Sequence, residues 1–434
     1  MKEILIKISR WELLVLVFIT GFWVLDHPPY FAFYLLIPLF WLIRYLLYGC
    51  ILPITPLNLP LFFLALWTLL SLAITPDLEN SAGKVLGIVL GISYYFVIIR
   101  LRDNIAKNQI GDEFDQSILV WATIGFVGMG AGIAILGLIG ADWFDKYPIL
   151  TRVSTSLPNL IQILPGINIG FQPNAISGTL TLFTPLTILI SWQVFISGKS
   201  SWIQKLTPLP VWLVKVCLAF VLALQGLWWI LAQTRGAWLG LFVGILYLGL
   251  IIFKPKGRWF SWIFPLSVVI FVYWYWFKSE NITLDIIELE NIGGAFLTRT
   301  LAFRFQVWEW AVKVLQDFPF TGLGFNMFRE LAPILYFGPR YVDIAHAHNI
   351  WLNVGVSLGY GGIIIYLALW IVNVYSLWNA WLERSEHWSG QFAIALLAGW
   401  YAYFIFGIAD TIPLGSKMGL MIFIAFALGQ IIVE

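Results

Sequence analysis

The chain has 434 residues, of which 60% are apolar and only 11% charged, and its mean hydropathy is +0.86. A soluble domain carries roughly 25% charged residues, so this composition excludes a water-soluble globular protein and leaves lipid as the solvent that suits it. The net charge of +2 is too small to suggest a nucleic-acid partner.

An apolar window of about 19 residues predicts an all-α, polytopic membrane protein with about 12 transmembrane helices, all in one domain over 1–434. The spans fall at roughly 11–25, 30–49, 56–75, 83–101, 117–140, 176–197, 209–233, 236–254, 259–277, 349–377, 390–409 and 414–432. No signal-peptide cleavage site follows the first stretch, which is read as a retained helix. The 24 Trp and 17 Tyr suit the headgroup level, where amphipathic rings collect. There is no internal repeat and no low-complexity tract. Cys50 and Cys217 stand near span ends on the side read below as cytoplasmic, so two buried thiols are expected rather than a disulfide.

Lysine and arginine set the orientation. Lys2, Lys7 and Arg10 precede the first span, and Arg44, then Arg100, Arg102 and Lys107, then Lys199 and Lys205, then Lys254, Lys256 and Arg258, then Arg384 lie in or beside alternate loops. The positive-inside rule makes those loops cytoplasmic, with both termini on that side. The opposite short loops are neutral or acidic, as in Asp26-His27-Pro28-Pro29. Two outer loops are long, at about 141–175 and about 278–348, and the second is large enough for a small folded cap. Within it, 299–318 reads as an amphipathic helix, with Leu301, Arg304, Trp308, Ala311 and Leu315 three or four apart, ended by Pro319 and the glycines of Thr321-Gly322-Leu323-Gly324.

Arginines on the outer side run against that bias: Arg152, Arg235, Arg299, Arg304, Arg329 and Arg340. Arg235, in Gln233-Thr234-Arg235-Gly236-Ala237-Trp238, sits in a connection so short that its guanidinium must lie at the membrane boundary. A charge at that depth is costly and reads as functional; the plain alternative is snorkelling to headgroups. The second signal is His346-Ala347-His348-Asn349, where the large loop re-enters the membrane, followed by Gly359-Tyr360-Gly361-Gly362. A metal is not expected there, because Asp343 alone does not complete a ligand set. A structural histidine at a helix start and a general base both remain open, since an ordinary imidazole titrates near pH 6.5.

Together these segments resemble the O-antigen ligase and polymerase superfamily. Thr234-Arg235-Gly236-Ala237-Trp238-Leu239 is similar to that family's Arg-x-x-x-Leu pattern, and His348-Asn349 followed at distance by Gly-x-x-Gly is similar to the ligase signature. Phe171-Gln172-Pro173-Asn174-Ala175-Ile176-Ser177-Gly178, the run from Arg304-Phe305-Gln306-Val307-Trp308 to Gly324, and Gly407-Ile408-Ala409-Asp410-Thr411 match in the same order. One departure is Ile363-Ile364-Ile365, where the family often has Thr or Arg.

The resemblance implies a GT-C-like fold and metal-independent, cofactor-free, inverting glycosyl transfer in the inner membrane, with the active site facing the periplasm. The implied donor is an undecaprenyl-diphosphate-linked glycan, the acceptor a hydroxyl of a glycolipid or glycan, and the remaining partners membrane lipids. His348 would deprotonate the acceptor. Arg235 and Arg304 would hold the diphosphate, with Arg299 and Arg340 as alternates and Asn349 beside the substrate, because the guanidinium fork matches phosphate oxygens. A polymerase of lipid-linked repeat units is the near alternative. A small-anion (bicarbonate) transporter is the distant one, and it lacks the expected paired, interrupted spans. A membrane scaffold would leave Arg235 and His348 unexplained.

Overall fold

The computed structural model describes residues 2–24, 30–106, 112–143, 147–163, 170–196, 209–253, 295–336, 344–385 and 387–433. Within them the chain is helical, apart from a short 3-10 turn and one bridged pair, Ala141 and Phe171. The first group is α1 (Lys2–Ser9), α2 (Glu12–Val24), α3 (Tyr30–Phe33), α4 (Leu36–Tyr48) and α5 (Asn58–Leu72). Next come α6 (Leu78–Ala106), α7 (Asp112–Gly140), α8 (Pro148–Ser154), α9 (Pro173–Phe195), α10 (Val211–Leu231) and α11 (Arg235–Phe253). The last group is α12 (Ala295–Asp317), α13 (Met327–Tyr336), α14 (Ile350–Glu383), α15 (Trp388–Ala409) and α16 (Leu420–Val433).

Seven of these, α6, α7, α9, α10, α11, α14 and α15, carry stretches long and apolar enough to cross a membrane. Four more expected spans, at α2, α4, α5 and α16, are apolar helices of 13, 13, 15 and 14 residues. At 1.5 Å per residue they reach only about 20 Å, less than the roughly 30 Å hydrocarbon layer. The span expected near 259–277 lies outside the described residues.

The helices at the centre are buried nearly all round, so packing rather than an apolar stripe orients them. α15 lies against α9, α11 and α14, while α16 lies against α6. Small residues make the closest of these contacts. A Cβ on Gly240 would stand 2.4 Å from the Ala402 carbonyl oxygen, and one on Gly244 2.7 Å from that of Ala398. Close backbone approach of this kind replaces the hydrophobic drive that helices lack in lipid.

One charged cluster is buried in the N-terminal part. Glu12 lies between Arg44 and Arg100, so α2, α4 and α6 share one carboxylate. Arg44 also donates to the Ser9 carbonyl at 3.3 Å, and Arg100 to that of Ile51 at 3.2 Å.

The segment that precedes α14 contributes a second, smaller core. Val307, Trp310, Ala311 and Val314 of α12 bury with Met327 and Phe328 of α13 against Leu352 and Val356 of α14. The predicted amphipathic helix therefore exists, beginning four residues earlier than its sequence pattern. The turn after it docks on a kink in α14 at Gly359, where φ is 67°. Tyr360 N–H donates to the Pro319 carbonyl at 2.8 Å, and Leu323 N–H to that of Val356 at 2.8 Å. A Cβ on Gly359 would lie 2.6 Å from Pro319 oxygen, so both space and backbone angle require glycine there.

The two thiols depart from expectation. Cys50 and Cys217 are free and exposed rather than buried. Cys217 shares an outward face of α10 with the exposed Val216 and Phe220, a face that an apolar solvent covers as well as a protein core does.

Candidate active site

His348 ends the segment that leads into α14, with a φ of 47°. This left-handed conformation is uncommon outside glycine, and neighbouring bonds hold it. Its N–H donates to His346 Nδ1 at 3.3 Å, and its carbonyl accepts from Trp308 Nε1 at 3.2 Å. Asn349 then caps α14, its Oδ1 accepting the N–H groups of Trp351 at 3.0 Å and Leu352 at 3.1 Å. The Asn349 amide donates to the Ile408 carbonyl at 3.0 Å, which ties the start of α14 to the end of α15.

That tie brings His348 to Asp410, the residue that ends α15. Asp410 Oδ1 lies 3.2 Å from His348 Nδ1 and accepts the Thr411 N–H at 2.9 Å. Its Oδ2 accepts from Asn174 Nδ2 at 2.7 Å and from an Arg304 guanidinium nitrogen at 3.4 Å. The four side chains come from the first turn of α9, from α12, from the approach to α14 and from the end of α15.

The Asp410 side chain is 3% exposed. Burial raises its pKa, but the hydrogen bond and charge of His348, with His346 and Arg304 behind them, outweigh that and hold the carboxyl below its usual range. His346 responds oppositely. Burial pushes its imidazole down to about 4, against the pull of Asp410, so it is neutral near pH 7.

Beside this cluster is a cavity of about 350 Å³, lined by His346, His348, Asn174 and Thr411 among others. Lys84 of α6, Arg329 of α13 and Lys417 of the turn before α16 bring three cations to it, and no Asp or Glu is among the described residues lining it. Asn174 Oδ1 and Thr411 Oγ1 are buried with no hydrogen-bond partner among the described residues.

The structure brings His348 and Arg304 together through Asp410. Asn349 is adjacent, but its side chain is engaged in capping and does not line the cavity. Arg235 begins α11, where a Cβ on neighbouring Gly236 would lie 4.0 Å from Ala409, and it does not line the cavity either. The Arg299 side chain and all of Arg340 lie outside the described residues. Asp410, Asn174, Lys84 and Lys417 were not singled out by the sequence reading. Asp410 and Asn174 stand inside the motifs around Gly407 and Pro173 without a signal of their own, and the lysines carry the same signal as the arginines, a cation near the end of a span.

His346, His348 and Asp410 could hold a metal, since each offers a ligand atom within 4.8 Å of the others. The hydrogen bonding disfavours it. A neutral His346 that accepts at Nδ1 carries its proton on Nε2, the nitrogen facing Asp410 Oδ1 at 4.0 Å.

Residues 218–367 match the family model of the O-antigen ligases. The match takes in Arg235, Arg304, His348 and the Gly359 kink, while Asn174 and Asp410 fall outside it. It bears out the resemblance to the O-antigen ligase and polymerase superfamily. Comparison with curated proteins found no match.

Proposed function

We propose that this multi-pass membrane protein is a glycosyltransferase that moves a glycan from an undecaprenyl-diphosphate-linked donor to a hydroxyl acceptor at the periplasmic face of the inner membrane, as a ligase does. The observation that carries the reading is His348 bonded to the buried Asp410 beside a cavity lined by Lys84, Arg329 and Lys417.

In this reading Asp410 accepts the His348 Nδ1–H, which leaves the Nε2 lone pair to take a proton. His348 receives the acceptor hydroxyl proton as the oxygen attacks the anomeric carbon from the face opposite the diphosphate. A glycosidic C–O bond forms, the C–O bond to the diphosphate breaks, and the configuration inverts. The leaving group gains negative charge, which Lys84, Arg329 and Lys417 neutralise, with Arg235 and Arg304 near the same end of the bundle. No step requires a metal. A polymerase would use the same groups with a different acceptor. A transporter is less well supported, because the cations of the cavity lie toward one end of α6 rather than at mid-depth.

The test is glycan transfer by purified protein in lipid. General-base catalysis contributes about 10²–10⁴-fold, so His348→Ala should lose transfer by about that factor while still binding donor, and EDTA should leave the wild type active. Lys84→Ala and Lys417→Ala should instead weaken donor binding, and Arg235→Lys, which loses the bidentate fork, should not behave as wild type. Normal transfer by His348→Ala, or activity abolished by chelation and restored by metal, would refute the proposal.

A further inference from the structure

We propose that His346 is a positioning residue, whose Nδ1 accepts the His348 backbone N–H and thereby holds His348 in the left-handed conformation that turns its ring to Asp410. The inference rests on the proposed role of His348 and adds a second residue to it.

A left-handed, non-glycine residue persists only where its surroundings over-determine it. The carbonyl side of His348 is held by Trp308, and the residues flanking it are tied as well. Ala347 N–H donates to Asn353 Oδ1 at 3.3 Å, and Asn349 bonds to Ile408. His346 holds the N–H of His348 itself, at 3.3 Å. The left-handed turn folds the side chain two residues back over that N–H, which is why the two imidazoles stand with centroids 4.3 Å apart and planes at 65°. This is the local geometry by which short polar side chains stabilise turns, performed here by a ring nitrogen.

The other nitrogen of His346 is poorly placed for a competing role. Nε2 lies 4.0 Å from Asp410 Oδ1, beyond hydrogen-bond reach, whereas His348 Nδ1 lies at 3.2 Å from the same oxygen. His346 therefore acts on the base through the backbone, not on the carboxylate.

Two amide substitutions separate the nitrogens. The carbonyl oxygen of His346→Asn falls close to the place of Nδ1 and can accept the same N–H, whereas the amide of His346→Gln reaches the place of Nε2. Transfer would be measured with the radiolabelled lipid-linked glycan extracted from cells that express the protein, alongside the melting midpoint in detergent. His346→Asn should keep kcat within about threefold of wild type. His346→Gln and His346→Ala should lose about 10- to 100-fold in kcat, as small misplacements of a catalytic group do, with the donor KM held within about twofold.

Rescue by Gln and not Asn would mean that the ring acts through Nε2, and it would overturn the inference. So would near-normal rates in all three variants, or equal losses in Asn and Gln. A wild-type protein without transfer, or an active His348→Ala, would instead refute the reading of the whole site.

Discussion

A carboxylate as enclosed as Asp410 keeps its charge only because Asn174, Arg304, His348 and the Thr411 N–H all point at it. A neighbouring imidazole in the same enclosure gives up its charge, and this difference has a pH signature. The folded pKa of His346, about 4, lies below the unfolded value of about 6.5, so between those values the unfolded chain binds a proton that the fold refuses. The stabilisation is complete above pH 6.5 and is lost as pH falls toward 4, by roughly 3 kcal/mol at about 1.36 kcal/mol per unit. Asp410 is also depressed, but its contribution is lost only below the ordinary carboxylate value of about 3.9, so the two windows separate. The melting midpoint in detergent should fall between pH 6.5 and 4.5 for the wild type and fall less for His346→Asn. Identical slopes would contradict a partly buried, neutral imidazole at this position. The histidine pair and Arg304 were legible in the sequence because each is a polar residue in an apolar context. Their tautomers and the αL turn were not, because these depend on which atoms stand opposite.

At the level of elements, the N-terminal helices depend on Glu12. Its carboxylate offsets two buried guanidiniums from α4 and α6, which no other acidic group meets among the described residues. Removing one partner of a buried ion pair typically costs about 3–5 kcal/mol, because the remaining charge has lost its compensation. Glu12→Ala should therefore lower the melting midpoint and the amount of inserted protein, and Glu12→Asp should recover part of the loss. An unchanged midpoint would mean that water or lipid headgroups reach the arginines. The amphipathic pattern of α12 showed in its three-and-four spacing, since burial of one helix face writes itself into sequence. The kink at Gly359 did not, because Gly-x-x-Gly reads equally well as a site of helix approach. What decides it is the Pro319 carbonyl standing where a side chain would be.

For the whole molecule, the two polar clusters lie at opposite ends of α6. Lys84 belongs to the cavity and Arg100 to the Glu12 cluster, and their sixteen-residue separation corresponds to about 24 Å along a helix. His348, Asn174, Thr411 and Lys417 share the Lys84 end, the end that the positive-inside rule places outside. In a background with Cys50 and Cys217 changed to serine, Ser156→Cys should react with an impermeant thiol reagent supplied from the periplasmic side, and Glu383→Cys should not. The reverse pattern would put the cavity in the cytoplasm and remove the proposed donor's access.

Sequence by itself determined that the chain is a helical membrane protein and where most of its apolar helices lie, and it marked His348 and Arg304 as polar residues set in apolar surroundings. Those properties are local, because the cost of placing each residue in lipid depends on its own side chain and its near neighbours. Only the tertiary structure decided that Asp410 bonds Asn174 across 236 residues, that Lys84, Arg329 and Lys417 face one cavity, and that Asn349 caps a helix rather than lining it. Spans that are apolar on every face carry no periodic record of which neighbour they meet. Their partners are chosen by close packing and by hydrogen bonds formed where water is absent, and these exist only once the helices are assembled.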